Sequence, residues 1–324
     1  MSEDIPQFLL DLLLEQYGNQ ITSSIIDGYT KKRKVTLRAN TLKVNINDIK
    51  DFFNSLNITY STIPWYTDAL ILDNISEKEL QNLEIYKNGE IYLQSLSSML
   101  PAIILSPKEN ENILDMTAAP GGKATQILAL SDNKSYITAC EKNKIRFERL
   151  KYNINKLGAN KVNALQIDSR NLDDFLSFDK ILLDAPCSGS GTLQLDNKNL
   201  KDNFTEDLIN RSSKIQMTLL DKAIRILKPN HELIYSTCSI LYKENEHIIK
   251  LFLDKKKVQI VPINIEDFSA IPILPVSIPL RQRKNTGLVG LVTSISSAFV
   301  RLRHCIGNCM DSSKTRNILL LLQM

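Results

Sequence analysis

A chain of 324 residues, 43% hydrophobic and 23% charged with no low-complexity tract, carries enough apolar side chains for one large domain or two ordinary ones. That composition excludes disorder over most of the length. The net charge of +4 is uneven: from Ala270 on, seven Lys or Arg stand against the single acid Asp311, a net +6, while the preceding residues are net −2.

The first segment, residues 1–88, reads as a small α/β domain. Apolar residues at helical spacing (Leu9, Leu10, Leu13, Leu14) predict a helix over 5–17. The run Lys31-Lys32-Arg33-Lys34 follows, a basic cluster that could face phosphates or simply be a solvated surface. Residues 35–42 alternate as a strand, 46–56 carry the helical period, and 58–63 and 69–72 read as further strands. From 89 the pattern becomes strand-then-helix: strands at 112–115, 136–140, 162–167, 180–183 and 232–236. The helices fall at 123–130, 144–157, 208–227 (ending before Pro229) and 244–253. Such alternation predicts a Rossmann-like α/β domain over 89–275, a mainly parallel sheet with helices on both faces, leaving 276–324 as a basic C-terminal segment. Ligands of such sheets bind beyond the carboxyl ends of the strands.

The chemistry-bearing residues cluster at those ends. After the first strand comes Asp115-Met-Thr117-Ala118-Ala119-Pro120-Gly121-Gly122-Lys123, where paired glycines allow close backbone approach and a helix N-terminus follows. Glu141 ends the second strand, 20 residues beyond Gly121, where an acid commonly takes ribose hydroxyls; Asp168 ends the third, placed for a base or its amino group. The loop matches neither the phosphate loop nor G-x-G-x-x-G, which favours a nucleoside without a phosphate chain. The fourth strand ends Asp184-Ala-Pro-Cys187-Ser-Gly-Ser-Gly191 and the fifth Tyr235-Ser-Thr-Cys238-Ser239, so two cysteines converge on the cofactor edge. A thiolate adding to carbon 6 of cytosine makes carbon 5 nucleophilic toward an electrophilic methyl group. A carboxylate such as Asp184 would hold the ring edge, and a base must then remove the carbon 5 proton.

The five cysteines (Cys140, Cys187, Cys238, Cys305, Cys309) are odd in number and widely spaced, which fits free thiols in a reducing cytoplasm; Cys140, inside a strand, is expected to be a buried hydrophobe. His304, Cys305 and Cys309 make half a metal site that no second pair completes, so no metal is expected. Glu3 and Asp4 stand where a secretory leader would be basic. The apolar runs at 8–14 and 318–322 fall short of the roughly 20 residues of a membrane helix. A cytoplasmic protein without membrane contact is expected.

Together, Thr117-Ala-Ala-Pro-Gly-Gly-Lys123, Asp184-Ala-Pro-Cys-Ser-Gly-Ser-Gly191, and Ser236-Thr-Cys-Ser239 with Glu244-Asn-Glu246 resemble the Nop/Sun family of RNA cytosine-5 methyltransferases, which includes RsmB-type ribosomal RNA enzymes. Leu93-Gln-Ser-Leu-Ser-Ser-Met-Leu100 resembles the family's helix before the first strand, and Arg38-Ala-Asn-Thr-Leu-Lys43 its N-terminal RNA-side segment. The resemblance implies S-adenosylmethionine against Thr117, Ala118, Ala119, Pro120, Gly121, Gly122, Lys123, Glu141, Arg146, Asp168 and Asp184. It implies Cys238 as nucleophile, Cys187 assisting breakdown of the covalent adduct, and Lys123 and Asp184 orienting the cytosine. The implied partner is RNA, ribosomal first and transfer RNA second, methylated by a monomer. The target base would be turned out of its stack. The family pattern usually has Cys where Thr117 stands, a difference not expected to affect catalysis.

Past Pro275 the pattern departs. The family closes with an inserted strand, whereas here a basic, Ser-rich stretch follows. Either residues 297–302 stand in for that strand, or the C-terminus is altered, as by a frameshift, and the sheet lacks a strand; the wholesale change of composition favours the second. Two rivals bound the functional reading. A methyltransferase for another substrate leaves Cys187 and Cys238 unused, and a non-catalytic RNA-binding or ribosome-assembly factor has no need of intact thiols.

Overall fold

The computed structural model describes residues 5–195 and 200–261, and the backbone of three strands at 273–278, 297–304 and 318–323. Helix α1 (Gln7–Thr30) runs well past the expected residue 17. Gly18, at φ 73° and ψ 175°, kinks it, and the apolar spacing resumes beyond the kink. Its buried Leu9, Leu13, Ile25 and Tyr29 pack on Phe204, Ile209, Ile240 and Leu241, so this helix is anchored to the larger domain.

The small sheet comprises β1 (Val35–Ala39), β2 (Tyr60–Thr62), β3 (Ala69–Leu72) and β4 (Ile91–Leu93), antiparallel in the order β2-β3-β1-β4. Between β1 and β2 lies α2 (Ile46–Ser55); between β3 and β4 lie α3 (Glu77–Asn82) and α4 (Glu84–Lys87). Asn45 accepts from the Asn47 and Asp48 amides while Asp48 accepts from the Asn45 amide, a capping box contributing about 1 kcal/mol. Leu37, Ile49, Phe53, Leu70, Leu80 and Ile91 form the core of this unit. The sheet extends past residue 88 because β4 completes the free edge of β1.

After α5 (Leu96–Leu105) the chain alternates strand and helix. It runs through β5 (Asn112–Asp115), α6 (Gly122–Leu130), β6 (Tyr136–Cys140), α7 (Lys144–Leu157), β7 (Val162–Leu165) and β8 (Phe178–Asp184). The short α8 (Leu200–Asn203), α9 (Glu206–Ile226), β9 (Leu227–Thr237), α10 (Glu246–Asp254) and β10 (Val258–Ile260) follow. Five parallel strands lie in the order β9-β8-β5-β6-β7, the doubly wound arrangement expected from the alternation. Successive strand residues serve opposite faces: Ile113 packs with Leu100, Ile127 and Leu150, and Leu114 with Ile181, Leu220 and Ile249. Where a helix was expected to persist to residue 227, α9 ends at Ile226 and β9 starts at Leu227. Pro229 lies inside β9 next to a register shift in the pairing with β8, where its missing N–H leaves no ladder bond unmade.

Beyond β9 come β11 (Ile273–Ile278), β12 (Ser297–His304) and β13 (Ile318–Gln323). The backbone of β12 runs antiparallel along β9, from Ala298 opposite Thr237 to Arg303 opposite Glu232. The expectation that the sheet lacks a strand is therefore corrected: the open N–H and C=O groups of β9 are paired by residues 297–304 despite their unusual composition. Cys305 and Cys309 lie outside the described residues, as does the His304 side chain. Among the described residues no cluster of metal-ligating side chains is present, and no helix is long and apolar enough to cross a membrane.

Candidate active site

Strand order reverses between β5 and β8, so a crevice opens at their carboxyl ends. The Thr117 hydroxyl donates to the Asp184 carbonyl at 2.7 Å and closes that end of the pair. Gly121 takes φ +105° at the start of α6. A Cβ on Gly122 would come within 2.7 Å of the Tyr92 ring, so only glycine lets the loop lie this close to β4. A cavity of about 250 Å³ results, walled by Asp115, Thr117, Ala118, Ala119, Pro120, Gly122, Lys123 and Asp184, with Tyr92, Ser95 and Ser98 opposite.

Gly121, Glu141, Arg146 and Asp168 do not line that cavity. Arg146 instead bonds the Ala119 carbonyl at 2.9 Å and sits 3.5 Å from Glu141, bracing the loop from outside. Glu141 accepts from the Asn143 amide at 2.7 Å. Asp168 is held by Arg170 at 2.9 and 2.5 Å, and these bonds keep its carboxyl below the usual range. Asp115, given no role above, matters more: it is 1% exposed, and its Oδ2 has no hydrogen-bond partner. Burial pushes it up to about 7 against the pull of Lys123.

On the far side of Lys123 and Asp184 lies a second cleft of about 600 Å³ that reaches Cys238, Ser236 and Thr237. The basic run Lys31–Lys34 lines the same cleft. Lys31 pairs with Asp27 and Lys34 with Asp73; Lys32 and Arg33 have no ion pair among the described residues. The Arg38–Lys43 segment is different. Arg38 is fully buried and donates to Gln94, Thr125 and the Gly122 carbonyl. Asn40 bonds the Gly89 and Leu157 carbonyls. Arg38 and Asn40 thus fasten the small sheet to the larger domain, while Thr41 and Lys43 stay exposed.

Both expected thiols meet here. Cys187 follows β8, Cys238 follows β9, and their sulfurs stand 2.8 Å apart. The hydrogen bond from Cys187, aided by the charge of Lys123, holds the Cys238 thiol below its ordinary value despite burial and the nearby carboxylates. The same bond, with burial, raises Cys187 well above its own. Of the two thiols, Cys238 is therefore the more readily deprotonated. Cys140 is buried in β6 and pushed up to about 12 by burial, an inert packing thiol.

Lys123 reaches Asp184 Oδ2 at 2.7 Å and Ser98 at 2.8 Å, and Ser236 donates to Asp184 Oδ1 at 2.7 Å. Burial alone would lower Lys123, but the charge and hydrogen bond of Asp184 outweigh it and raise the ammonium. The arrangement can polarise a flat amide-like edge beside a thiol whose ionisation is favoured. Ser98, Ser236 and Glu244 stand in the sequence motifs without a role, because only the folding of the chain shows what they touch.

The sequence model described as "16S rRNA methyltransferase RsmB/F" matches residues 102–280, and a ferredoxin-like domain of RsmF/B-like methyltransferases matches 5–77. This chain belongs to the RsmB/F methyltransferase family. Ribosomal RNA small subunit methyltransferase F of Aeromonas salmonicida is 35% identical over 227 residues, 68% of this chain and 48% of that protein. The 28S rRNA (cytosine-C(5))-methyltransferase of Mus musculus is 33% identical over 265 residues, covering 80% of this chain and 33% of that one. The chain thus spans half or less of the length of these two relatives. Among solved structures, a methyltransferase homolog from Pyrococcus horikoshii superposes with TM-score 0.75 at 28% identity, over 93% of this chain and 95% of that one.

Proposed function

We propose that this RsmB/F-family protein transfers a methyl group from S-adenosylmethionine to carbon 5 of a cytosine in RNA through a Cys238–cytosine adduct. One observation carries the reading: a polarised pair of thiols beside Lys123 and Asp184, where two cavities meet. S-adenosylmethionine supplies the electrophilic methyl group. The 250 Å³ cavity suits it, because the unpartnered, buried Asp115 Oδ2 offers an acceptor for a cationic ligand and the glycine loop leaves room for the backbone to approach. Arg146 and Glu141 then serve by bracing the loop, and Glu141 and Asp168 stand at the two strand ends where nucleoside hydroxyl and amino groups are commonly taken.

Cys238, the more acidic of the two thiols, adds as its thiolate to carbon 6 of the cytosine. Lys123 and Asp184, fixed by Ser98 and Ser236, hold the ring edge as electron density moves toward nitrogen 3. Carbon 5 takes the methyl group from the sulfonium. Cys187, once it has released its own proton to solvent, removes the carbon 5 proton. The electron pair left behind re-forms the carbon 5–carbon 6 double bond as the Cys238–carbon bond breaks and returns the thiolate to Cys238. Lys32 and Arg33 give the cleft free cations for the phosphates of a strand whose base reaches the thiol. Ribosomal RNA is the proposed substrate, in line with the names of the relatives, and the free thiols Cys140, Cys187 and Cys238 fit a reducing cytoplasm.

The test is transfer of label from S-adenosylmethionine to total RNA, followed by bisulfite sequencing. A new 5-methylcytosine at one discrete site is the expected result. Labelled RNA without 5-methylcytosine, or label in protein alone, would overturn the proposal.

A further inference from the structure

The side chain immediately after each thiol leads to one buried carboxylate. The Ser188 amide and hydroxyl donate to Glu244 at 2.7 and 2.6 Å, and the Ser239 hydroxyl donates to it at 2.5 Å. Glu244 is fully buried, although it lies in a connection between β9 and α10. The backbone carbonyl of Glu244 accepts from the Tyr235 hydroxyl at 2.7 Å, fastening it to the strand that carries Cys238. A second link runs through Ser190 and Ser239, 2.9 Å apart, and the Gly191 amide donates to the Cys238 carbonyl at 2.9 Å. Asn245 adds bonds to Thr237 and to the Ser239 and Leu241 carbonyls.

We propose that Glu244 is the positioning residue of the thiol pair: its carboxylate clasps Ser188 and Ser239 and so holds the two cysteine loops at the spacing that lets Cys187 donate to Cys238. This rests on the thiol roles assigned above. A single carboxylate taking three donors is an uncommon investment in a loop, since a buried charge is costly unless its acceptor sites are filled. Among the described residues no Lys or Arg lies within hydrogen-bond reach of the Glu244 carboxylate, whose donors all come from the two thiol loops. A carboxylate kept only for packing would not require both loops as donors. The other links between the two loops, Ser190 to Ser239 and the Gly191 amide to the Cys238 carbonyl, lie on the far side of Ser188 from Cys187; the Glu244 clasp is the one that grips the residue next to each thiol. If the clasp is lost, the sulfurs separate, and the asymmetry between them disappears with the bond that creates it.

The experiment uses the full chain without RNA, so that it reads the thiols and not turnover. Wild type, Glu244→Gln and Glu244→Asp are alkylated with limiting iodoacetamide at neutral pH, and the Cys238 and Cys187 peptides are quantified by mass spectrometry. Circular dichroism and S-adenosylmethionine binding report the fold. In wild type Cys238 should react about tenfold or more faster than Cys187, the preference expected of a lowered thiol against a raised one. In Glu244→Gln that preference should fall toward parity while the fold is kept. Glu244→Asp, which keeps the charge on a shorter arm, should fall between. A folded Glu244→Gln retaining the preference within about twofold overturns the inference. Should Glu244→Gln not fold, Ser188→Ala and Ser239→Ala remove one arm of the clasp each. Partial loss in both supports the inference, and full retention in both overturns it. A wild-type preference for Cys187 would instead refute the assigned thiol roles, and the positioning role with them.

Discussion

Replacing Asp115 with Asn should make the ligand-free protein more stable above neutral pH and its cofactor binding weaker. Asp115 ends β5 with 1% exposure, and its Oδ2 has no partner. Burial raises the carboxyl from 3.8 to about 7, against Lys123, with Asp184 and Glu141 adding to the rise. A folded-state value above the unfolded one means that the native protein holds a proton the unfolded chain has released between about pH 4 and 7. Asp115 therefore lowers stability progressively as pH rises through that window. The rise of about three units corresponds to about 4 kcal/mol lost above pH 7. Asn removes the charge but leaves a buried amide N–H, whose penalty is about 1–3 kcal/mol, so a net gain of about 1–3 kcal/mol is expected at pH 8. The gain should vanish toward pH 5. Binding should move the other way. In wild type, affinity for S-adenosylmethionine should fall as pH drops below about 7, and in Asp115→Asn it should be weak and flat. Thermal melts of the ligand-free proteins across pH 5–8.5, with calorimetric titration at each pH, read both. An Asn variant no more stable at pH 8, together with a wild-type affinity indifferent to pH, would refute the reasoning.

Three further outcomes follow from the same geometry. Cys187→Ala should accumulate a protein–RNA adduct stable to denaturing gels and Cys238→Ala should form none; the reverse pattern would show the thiol roles exchanged. Lys32→Ala with Arg33→Ala should weaken RNA binding and make the logarithmic salt dependence shallower by about 1.4, two phosphate contacts on a single strand, with turnover at saturating RNA unchanged. An unaltered salt slope would remove this run from the RNA path. Arg38→Met should destabilise the fold by about 2–5 kcal/mol in denaturant melts and leave the salt slope alone, since Arg38 ties Gln94, Gly122 and Thr125 together and touches no solvent.

How much of this was readable in the sequence depended on whether local pattern and long-range packing agreed. The parallel strands were, because each is a short apolar run followed by a turn signal, and the cysteines were placed correctly by the rule that ligands gather at carboxyl strand ends. The kinked α1 was read short because Gly18 looks like a stop; its buried Ile25 and Tyr29 give the second half a reason to continue. β4 was missed because three residues are too few for a period. It exists as a strand only because β1 offers an edge. The burial of Arg38 was not legible either: the resemblance placed its segment on the RNA side, and only the surrounding acceptors show that a buried guanidinium is tolerated here.

The roles of the two thiols illustrate what sequence withholds. Cys187 and Cys238 are the same residue type at equivalent strand ends, and nothing in their spacing distinguishes nucleophile from helper. Their surroundings differ: the charge of Lys123 acts to lower the Cys238 thiol, whereas burial and the bond to Cys238 raise Cys187. Lys123, Asp184, Ser95 and Ser98 line both cavities, so the wall between cofactor and thiol cleft is a single layer of side chains. A change to Lys123 would disturb the Cys238 thiol, the Asp184 carboxylate and both cavities together. Losses in such a layer should therefore be strongly non-additive, with Lys123→Ala and Cys238→Ala combined costing hardly more than either alone.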